Sequence, residues 1–310
     1  MARGMKRHAD PVDGLLLLNK PSGMSSNRAL QIVRRLLNAR KAGHTGSLDP
    51  AATGMLPLCF GEATKVCAYM LEADKSYRVT AKLGSMTDTG DGDGEVTNTA
   101  EVPDLSADEW DQILQSFCGE STQIPPMYSA LKVDGKRLYE LARKGETVER
   151  KPRAIRIDEI QLLEAAGKRL VFRVSCSKGT YIRVLVEDIA KKAGTIAHTA
   201  RLHRETVGDF ESAKMLDMAA LEALAEQGLE ELRAELLPAD IALAEMPAVS
   251  VSSDDAARFS GGMAVPAGVE EQEGLARVYE AGERFLGVGE LSKDGLLAPR
   301  RVFLTQEETP

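Results

Sequence analysis

Apolar residues change their spacing several times along the first two hundred positions, from continuous runs to helical spacing to strict alternation, which points away from an all-helical or all-β chain. Gly14 to Asn19 contains the unbroken run Leu15 to Leu18 and predicts a short buried strand. Between Ser26 and Leu37, Ala29, Leu30, Val33, Leu36 and Leu37 recur at helical spacing, with Ser25 or Ser26 as cap. A Gly- and Pro-rich loop is expected from Lys41 to about Pro57, followed by a helix from about Glu62 to Glu72. Tyr77, Val79, Ala81 and Leu83 then alternate with Arg78, Thr80 and Lys82, so a strand places Tyr77 on its apolar side. Ser106-x-x-Glu109 is a capping box opening a helix to about Phe117. Strands at about 153–164 and 169–177 precede the turn Ser177-Lys178-Gly179-Thr180 and a helix from Tyr181 to about Ala193. This order predicts an α+β domain. An acidic helical stretch at about 214–236 leads to short strands and Gly-rich turns, read as a small β-rich domain at about 248–310.

The 310 residues suit one large domain with a small appendage, and 43% hydrophobic with 28% charged residues is a globular composition. No apolar run approaches the roughly 20 residues that span a bilayer, and no signal peptide is read. Cys59, Cys67, Cys118 and Cys176 form no Cys-x-x-Cys pair, so a reducing cytoplasm is expected, without a zinc site or disulfide framework. The net charge of −8 conceals an asymmetry. Residues 1–204 hold 31 Lys and Arg against 25 Asp and Glu, whereas 205–310 hold 8 against 22. The basic segments 1–50 and 151–204 permit an RNA-binding face.

The candidate chemistry lies in Gly43-His44-Thr45-Gly46-Ser47-Leu48-Asp49-Pro50. An Asp before Pro is biased toward extended backbone, and its glycine-rich neighbourhood lets the carboxylate project, although an Asp-Pro step alone reads first as a turn. Arg183 falls in the first turn of its helix, where the macrodipole disfavours a cation unless an anion lies near; an ordinary surface arginine is the rival reading. The acidic run Asp88 to Gly94 has the composition of a calcium loop but not its register, and reads as a solvated turn. There is no Gly-x-Ser-x-Gly elbow, phosphate-binding loop or dinucleotide fingerprint.

Four ordered blocks resemble the TruB family of tRNA pseudouridine-55 synthases: Leu18-Asn19-Lys20-Pro21-Ser22-Gly23; Gly43 through Gly54; Tyr77 with Thr87-Asp88-Thr89-Gly90-Asp91; and Ser177 through Arg183. The resemblance runs from about Gly14 to Phe210. It implies a mixed-sheet catalytic domain at 1–247, an RNA-gripping insertion at about 125–153 and a PUA-like RNA-binding domain at 248–310, whose deletion would weaken binding more than turnover. It implies Asp49 as nucleophile, Arg183 as its orienting ion-pair partner, Asp91 bonded to Arg183, and Tyr77 stacked on an extruded base with a part in proton transfer. His44, Leu202, Tyr181 and Lys20 would contact or shape the substrate pocket, Lys20 mainly as support. No metal or cofactor is implied, and the partner would be the T-arm of tRNA, met by a monomer without an obligate protein partner. Leu202-His203-Arg204-Glu205 departs from the family's usual Leu-Arg-Arg-Thr, which puts phosphate contacts in doubt. Ser47 replaces a more usual threonine. Two rivals remain: a synthase for another RNA, such as a guide-dependent rRNA enzyme, and an RNA chaperone that binds and refolds tRNA.

Overall fold

The computed structural model describes residues 9–129, 131–133, 135–268, 273–281 and 284–304. In chain order its elements are β1 (Gly14–Lys20), α1 (Ser26–Leu36), β2 (Ala42–His44), β3 (Thr53–Phe60), α2 (Cys67–Glu72), β4 (Lys75–Leu83), β5 (Ser85–Thr87), β6 (Val96–Thr99), α3 (Ala107–Gln115) and β7 (Gly119–Gln123). There follow β8 (Lys132–Val133), β9 (Lys136–Arg137), α4 (Leu138–Ala142), β10 (Arg153–Ala166), β11 (Arg169–Cys176), α5 (Ile182–Lys192) and β12 (Ala197–Val207). The last are α6 (Met218–Gln227), α7 (Leu229–Ala234), β13 (Ala248–Val251), α8 (Ser253–Ser260), β14 (Val265–Pro266), β15 (Gly274–Glu280), β16 (Arg284–Leu291) and β17 (Leu296–Val302).

An eight-stranded sheet in the order β1-β3-β12-β4-β11-β10-β7, with β2 on β3, organises the first two hundred residues. It is mixed, because β12 runs parallel to β3 and antiparallel to β4. The α+β class follows directly. β1 and β3 are apolar on both faces: Leu16, Leu18, Leu56 and Leu58 pack under α1 and α6, while Leu15, Leu17, Met55 and Cys59 pack with α2 and Val288. Burial from two sides explains the continuous run Leu15–Leu18. β4 is covered on one side only, by Trp110 and Leu114 of α3 and Leu185, Val186 and Ile189 of α5, and therefore alternates. Tyr77 lies on that covered side, as predicted.

Several expectations change. The loop expected to reach Pro57 ends at Thr53, because Thr53 to Phe60 is recruited as β3 between β1 and β12. Gly54 conceals this strand in sequence. Its φ is +99°, and a Cβ there would stand 2.2 Å from the Arg204 carbonyl oxygen, so the close approach of β12 requires glycine. The expected helix 62–72 is a 3₁₀ turn, Gly61–Val66, followed by the short α2. β12 was not anticipated: two bulges, at Thr199/Arg201 and Arg204/Thr206, break its alternation. The Ser106–Glu109 capping box is present with both reciprocal bonds. In the C-terminal region, Ser252 caps an unanticipated helix, α8, beside the five-stranded sheet β13-β15-β16-β17-β14. Among the described residues, no helix is long and apolar enough to cross a membrane.

Candidate active site

The segment between β2 and β3 carries Asp49 and is fastened by Lys20, Ser22 and Gly23 of the first sequence block and by Ser26 at the start of α1. Ser26 Oγ accepts from the Leu48 N–H at 2.8 Å and donates to the Leu48 carbonyl at 3.0 Å, which fixes the residue before Asp49. The Gly23 N–H donates to the Pro50 carbonyl at 2.9 Å, and Ser22 Oγ donates to Ala51 O at 3.1 Å. Lys20 is fully buried, and its Nζ donates to the carbonyls of Pro21 at 2.8 Å, Met24 at 2.9 Å and Pro50 at 3.3 Å. Its three donors are thereby spent on two carbonyls of its own turn and one of the Asp49 loop, so Lys20 ties that turn to the loop. Burial lowers its pKa to about 8, with the nearby Asp49 charge opposing.

From the other side, the N-terminal turn of α5 presents Arg183. Its Nε lies 3.0 Å from Asp49 Oδ2, Nη1 donates to the Thr89 carbonyl at 2.7 Å, and Nη2 donates to the Tyr128 carbonyl at 2.6 Å. Asp91 Oδ2 is 4.0 Å from Nη1, a longer contact than the expected bond. Asp91 also accepts from the Thr89 hydroxyl at 2.6 Å and the Asp93 N–H at 3.1 Å, so this acidic turn is internally wired and its Asp91 is largely shielded from solvent. The Arg183 side chain is 6% exposed and that of Asp49 42%, which leaves the cation locked and the carboxylate reachable. Desolvation raises the Asp49 pKa, Arg183 opposes, and Asp91 adds to the rise.

Tyr77 on β4 and Leu202 on β12 belong to the apolar cluster that also takes in Leu48 and Ala52 of the Asp49 loop. Burial raises the Tyr77 phenol, and the nearby Arg204 guanidinium pulls the other way. His44 ends β2 half-buried, its basicity lowered by burial and by Arg204; its Nδ1 has no hydrogen-bond partner among the described residues. Tyr181 caps α5, its backbone bracketed by Gln123 through an N–H···Oε1 bond of 2.9 Å. Asp49 with Arg183, and Tyr77 with Leu202, are thus drawn together from segments far apart in sequence, while His44 lies near Arg204.

Two buried cations escaped the sequence reading as site groups. Arg204, 1% exposed, donates from Nε to Met55 O at 2.7 Å and from Nη2 to Gly46 O at 3.1 Å. Lys75 is 8% exposed, donates to Leu71 O at 3.2 Å, and has its pKa lowered to about 8 by burial and by Arg204. Only the register of β12 against Tyr77 reveals Arg204, and that strand was invisible to periodicity. The two departures from the family pattern are satisfied internally. Thr53 Oγ1 meets His203 Nδ1 at 2.9 Å, and Arg173 Nε pairs with Glu205 at 2.7 Å. Among the described residues, no group of three or more His, Cys, Asp or Glu is placed to hold a metal ion.

Over nearly its full length the chain is similar to proteins named tRNA pseudouridine synthase B. It is 48% identical to that of Nitrosococcus oceani, over 99% of both chains, and 52% identical to that of Dechloromonas aromatica, over 96% of this chain and 97% of the relative. The chain belongs to the TruB family. Residues 34–182 match the TruB family pseudouridylate synthase N-terminal domain, 183–244 the tRNA pseudouridylate synthase B C-terminal domain, and 247–303 the pseudouridine synthase II TruB C-terminal family. This TruB-family chain is a pseudouridine synthase, an isomerase. Its fold is shared with a solved structure described as a Cbf5-Nop10-Gar1 complex, at a TM-score of 0.75 and 24% identity, covering 99% of this chain and 89% of that one.

Proposed function

We propose that the chain converts the uridine at position 55 of the tRNA T-loop to pseudouridine, with Asp49 as the nucleophile. The observation that carries this reading is the half-exposed Asp49 carboxylate at 3.0 Å from a buried Arg183, on a loop whose Leu48 and Ala52 pack into the same apolar cluster as Tyr77. The relatives' shared name supports tRNA as the substrate.

The target nucleotide must leave its stack for C1′ and the base to reach a carboxylate on the protein. Tyr77 and Leu202 offer the apolar walls against which a flipped uracil packs, and His44 stands at the rim. Arg183 holds Asp49 with one oxygen oriented, leaving the other to attack. Asp49 adds to the nucleotide as the N1–C1′ bond breaks; the base turns, C5 bonds to C1′, and Asp49 is released. C5 gives up its proton, assisted by Tyr77, and N1 gains one, so the nucleotide's atoms and electrons balance. The rearrangement exchanges one bond to C1′ for another and leaves the oxidation level of the nucleotide unchanged.

Unmodified tRNA incubated with wild type and with Asp49→Asn tests this, with pseudouridine mapped along the RNA. The expected result is a single product in the T-loop with wild type and none with Asp49→Asn while tRNA binding persists. Product formed by the variant would sink the assignment of Asp49, and product elsewhere would sink the choice of position. If wild type refolds tRNA but forms no pseudouridine, the chaperone reading replaces this one.

A further inference from the structure

Arg204 is one of the largest fully buried side chains among the described residues, and none of their carboxylates pairs with it. An arginine removed from water with only neutral partners is costly, and such a group persists where its position does something that a smaller or apolar side chain would not. Its neighbours indicate what that is. In the antiparallel ladder of β12 and β4, Arg204 is the direct partner of Tyr77, and in the parallel pair with β3 it stands against Gly54. That register puts Arg204 and Tyr77 on one face of the sheet, and the guanidinium is close enough to lower the Tyr77 phenol against the effect of burial. The same group donates to the Gly46 carbonyl, three residues before Asp49, and to the Met55 carbonyl, just beyond the loop's far end. Its planar fork therefore holds both ends of the Asp49 loop from a strand position directly beside Tyr77, which a point-charge ammonium does less well.

We infer that Arg204 is a positioning residue for catalysis, tying the Tyr77 hydroxyl to the loop that carries Asp49 so that the two sit in one rigid frame. This rests on the activity proposed above. Arg183 orients the carboxylate from the α5 side, and Arg204 sets the distance between that carboxylate's loop and the aromatic wall from the β12 side. A shift of the frame by about an ångström leaves substrate binding intact but costs on the order of 100-fold in turnover.

The test uses the full chain and unmodified tRNA, with kcat and KM determined separately for Arg204→Met and Arg204→Lys, each alone and combined with Tyr77→Phe. Arg204→Met is expected to lower kcat about 100-fold with KM within about threefold of wild type, and Arg204→Lys to recover about tenfold of that loss. In the Tyr77→Phe background, where the hydroxyl is already gone, Arg204→Met is expected to cost less than about threefold more. A loss confined to KM, or a full loss repeated in the Tyr77→Phe background, overturns the inference. If Arg204→Met fails to fold, the Arg204→Lys comparison in the two backgrounds decides the same question. A wild-type chain that forms no pseudouridine overturns the activity itself, whereas an active wild type with unchanged Arg204→Met kcat overturns only the role of Arg204.

Discussion

Arg183 meets Asp49 through a single nitrogen: Nε stands 3.0 Å from Oδ2, while Nη1 and Nη2 are each committed to a backbone carbonyl, of Thr89 and Tyr128. The contact is therefore not the bidentate fork of a structural ion pair. The carbonyls come from the acidic turn after β5 and from the 125–153 segment, so the same side chain that orients the carboxylate also docks that excursion onto the site.

Desolvation holds the Asp49 pKa above its ordinary 3.8, Arg183 lowers it, and Asp91 raises it. A reaction that needs the ionised carboxylate then loses rate on the acid side at a pH above that ordinary value. Asp91→Asn removes a neighbouring negative charge while keeping a side-chain oxygen for Thr89 and Asp93, so the acid limb of kcat/KM is expected to move to lower pH. Arg183→Met is expected to move it higher and to lower kcat by on the order of 100-fold. A limb that rises in Asp91→Asn contradicts this electrostatic account.

The same shift has a stability sign. A carboxyl whose folded pKa is raised binds its proton more tightly in the native state, so its ionisation destabilises the fold as pH rises through the folded value. Asp49→Asn is therefore expected to melt at a higher temperature than wild type at neutral pH, with the advantage shrinking as pH falls toward the ordinary carboxylate range. Thermal melts across pH read this directly, and a variant less stable at neutral pH counts against it.

The strands buried on one face were legible because their alternation was clean, as at Tyr77 to Leu83. Asp49, Arg183 and Tyr77 were reached through sequence blocks whose geometry no spacing rule could supply, since the fold joins residues more than a hundred positions apart. What stayed hidden has a common cause. β12 bends its register at two bulges and buries Arg204, so a strand carrying a buried cation reads as a mixed polar segment. Gly54 and Pro57 likewise make β3 read as a loop, although the first is glycine because β12 passes so close.

Lys20 is the next testable support. Lys20→Met leaves the Pro21, Met24 and Pro50 carbonyls without their donor, and a loss of about 1–3 kcal/mol is expected from urea titration. The lysine's pKa of about 8 is below its ordinary 10.5, so the buried charge weighs on the fold until it is shed. Between about pH 8 and 10.5 wild type is therefore expected to gain stability relative to Lys20→Met. A difference that stays flat over that window would show that the ammonium carries no burial penalty.

Glu205 concerns substrate affinity. It pairs with Arg173, whose cross-strand partner is Arg78, and both arginines alternate with the Tyr77 row and so point to the opposite face of the sheet. With the Arg173 side chain 47% exposed, the pair contributes less than about 1 kcal/mol. Glu205→Gln is expected to leave the tRNA KM and its salt dependence unchanged, despite the family's threonine there. A KM that falls, with a steeper salt dependence, would place the Arg173 face against phosphate.

The C-terminal sheet shares a core with the catalytic body: Val288, Phe285 and Phe303 pack into the cluster of Leu15, Leu17, Met55 and Met70. Three hydrogen bonds fix the same contact, Lys65 Nζ to Val302 O at 2.6 Å, Leu304 N–H to Glu62 Oε2 at 3.0 Å and Tyr279 OH to Asp240 Oδ2 at 2.7 Å. Removing residues 248–310 uncovers that apolar surface, at about 1.5–3 kcal/mol for each large side chain whose burial is lost. The truncated chain is thus expected to melt well below the full chain and to bind an apolar dye, losing turnover along with affinity. Phe285→Ala in the full chain is expected to reproduce part of the destabilisation with the C-terminal sheet still present, separating lost packing from lost RNA contacts. A truncated chain that melts with the full one and loses only affinity would show that the C-terminal sheet serves RNA binding alone.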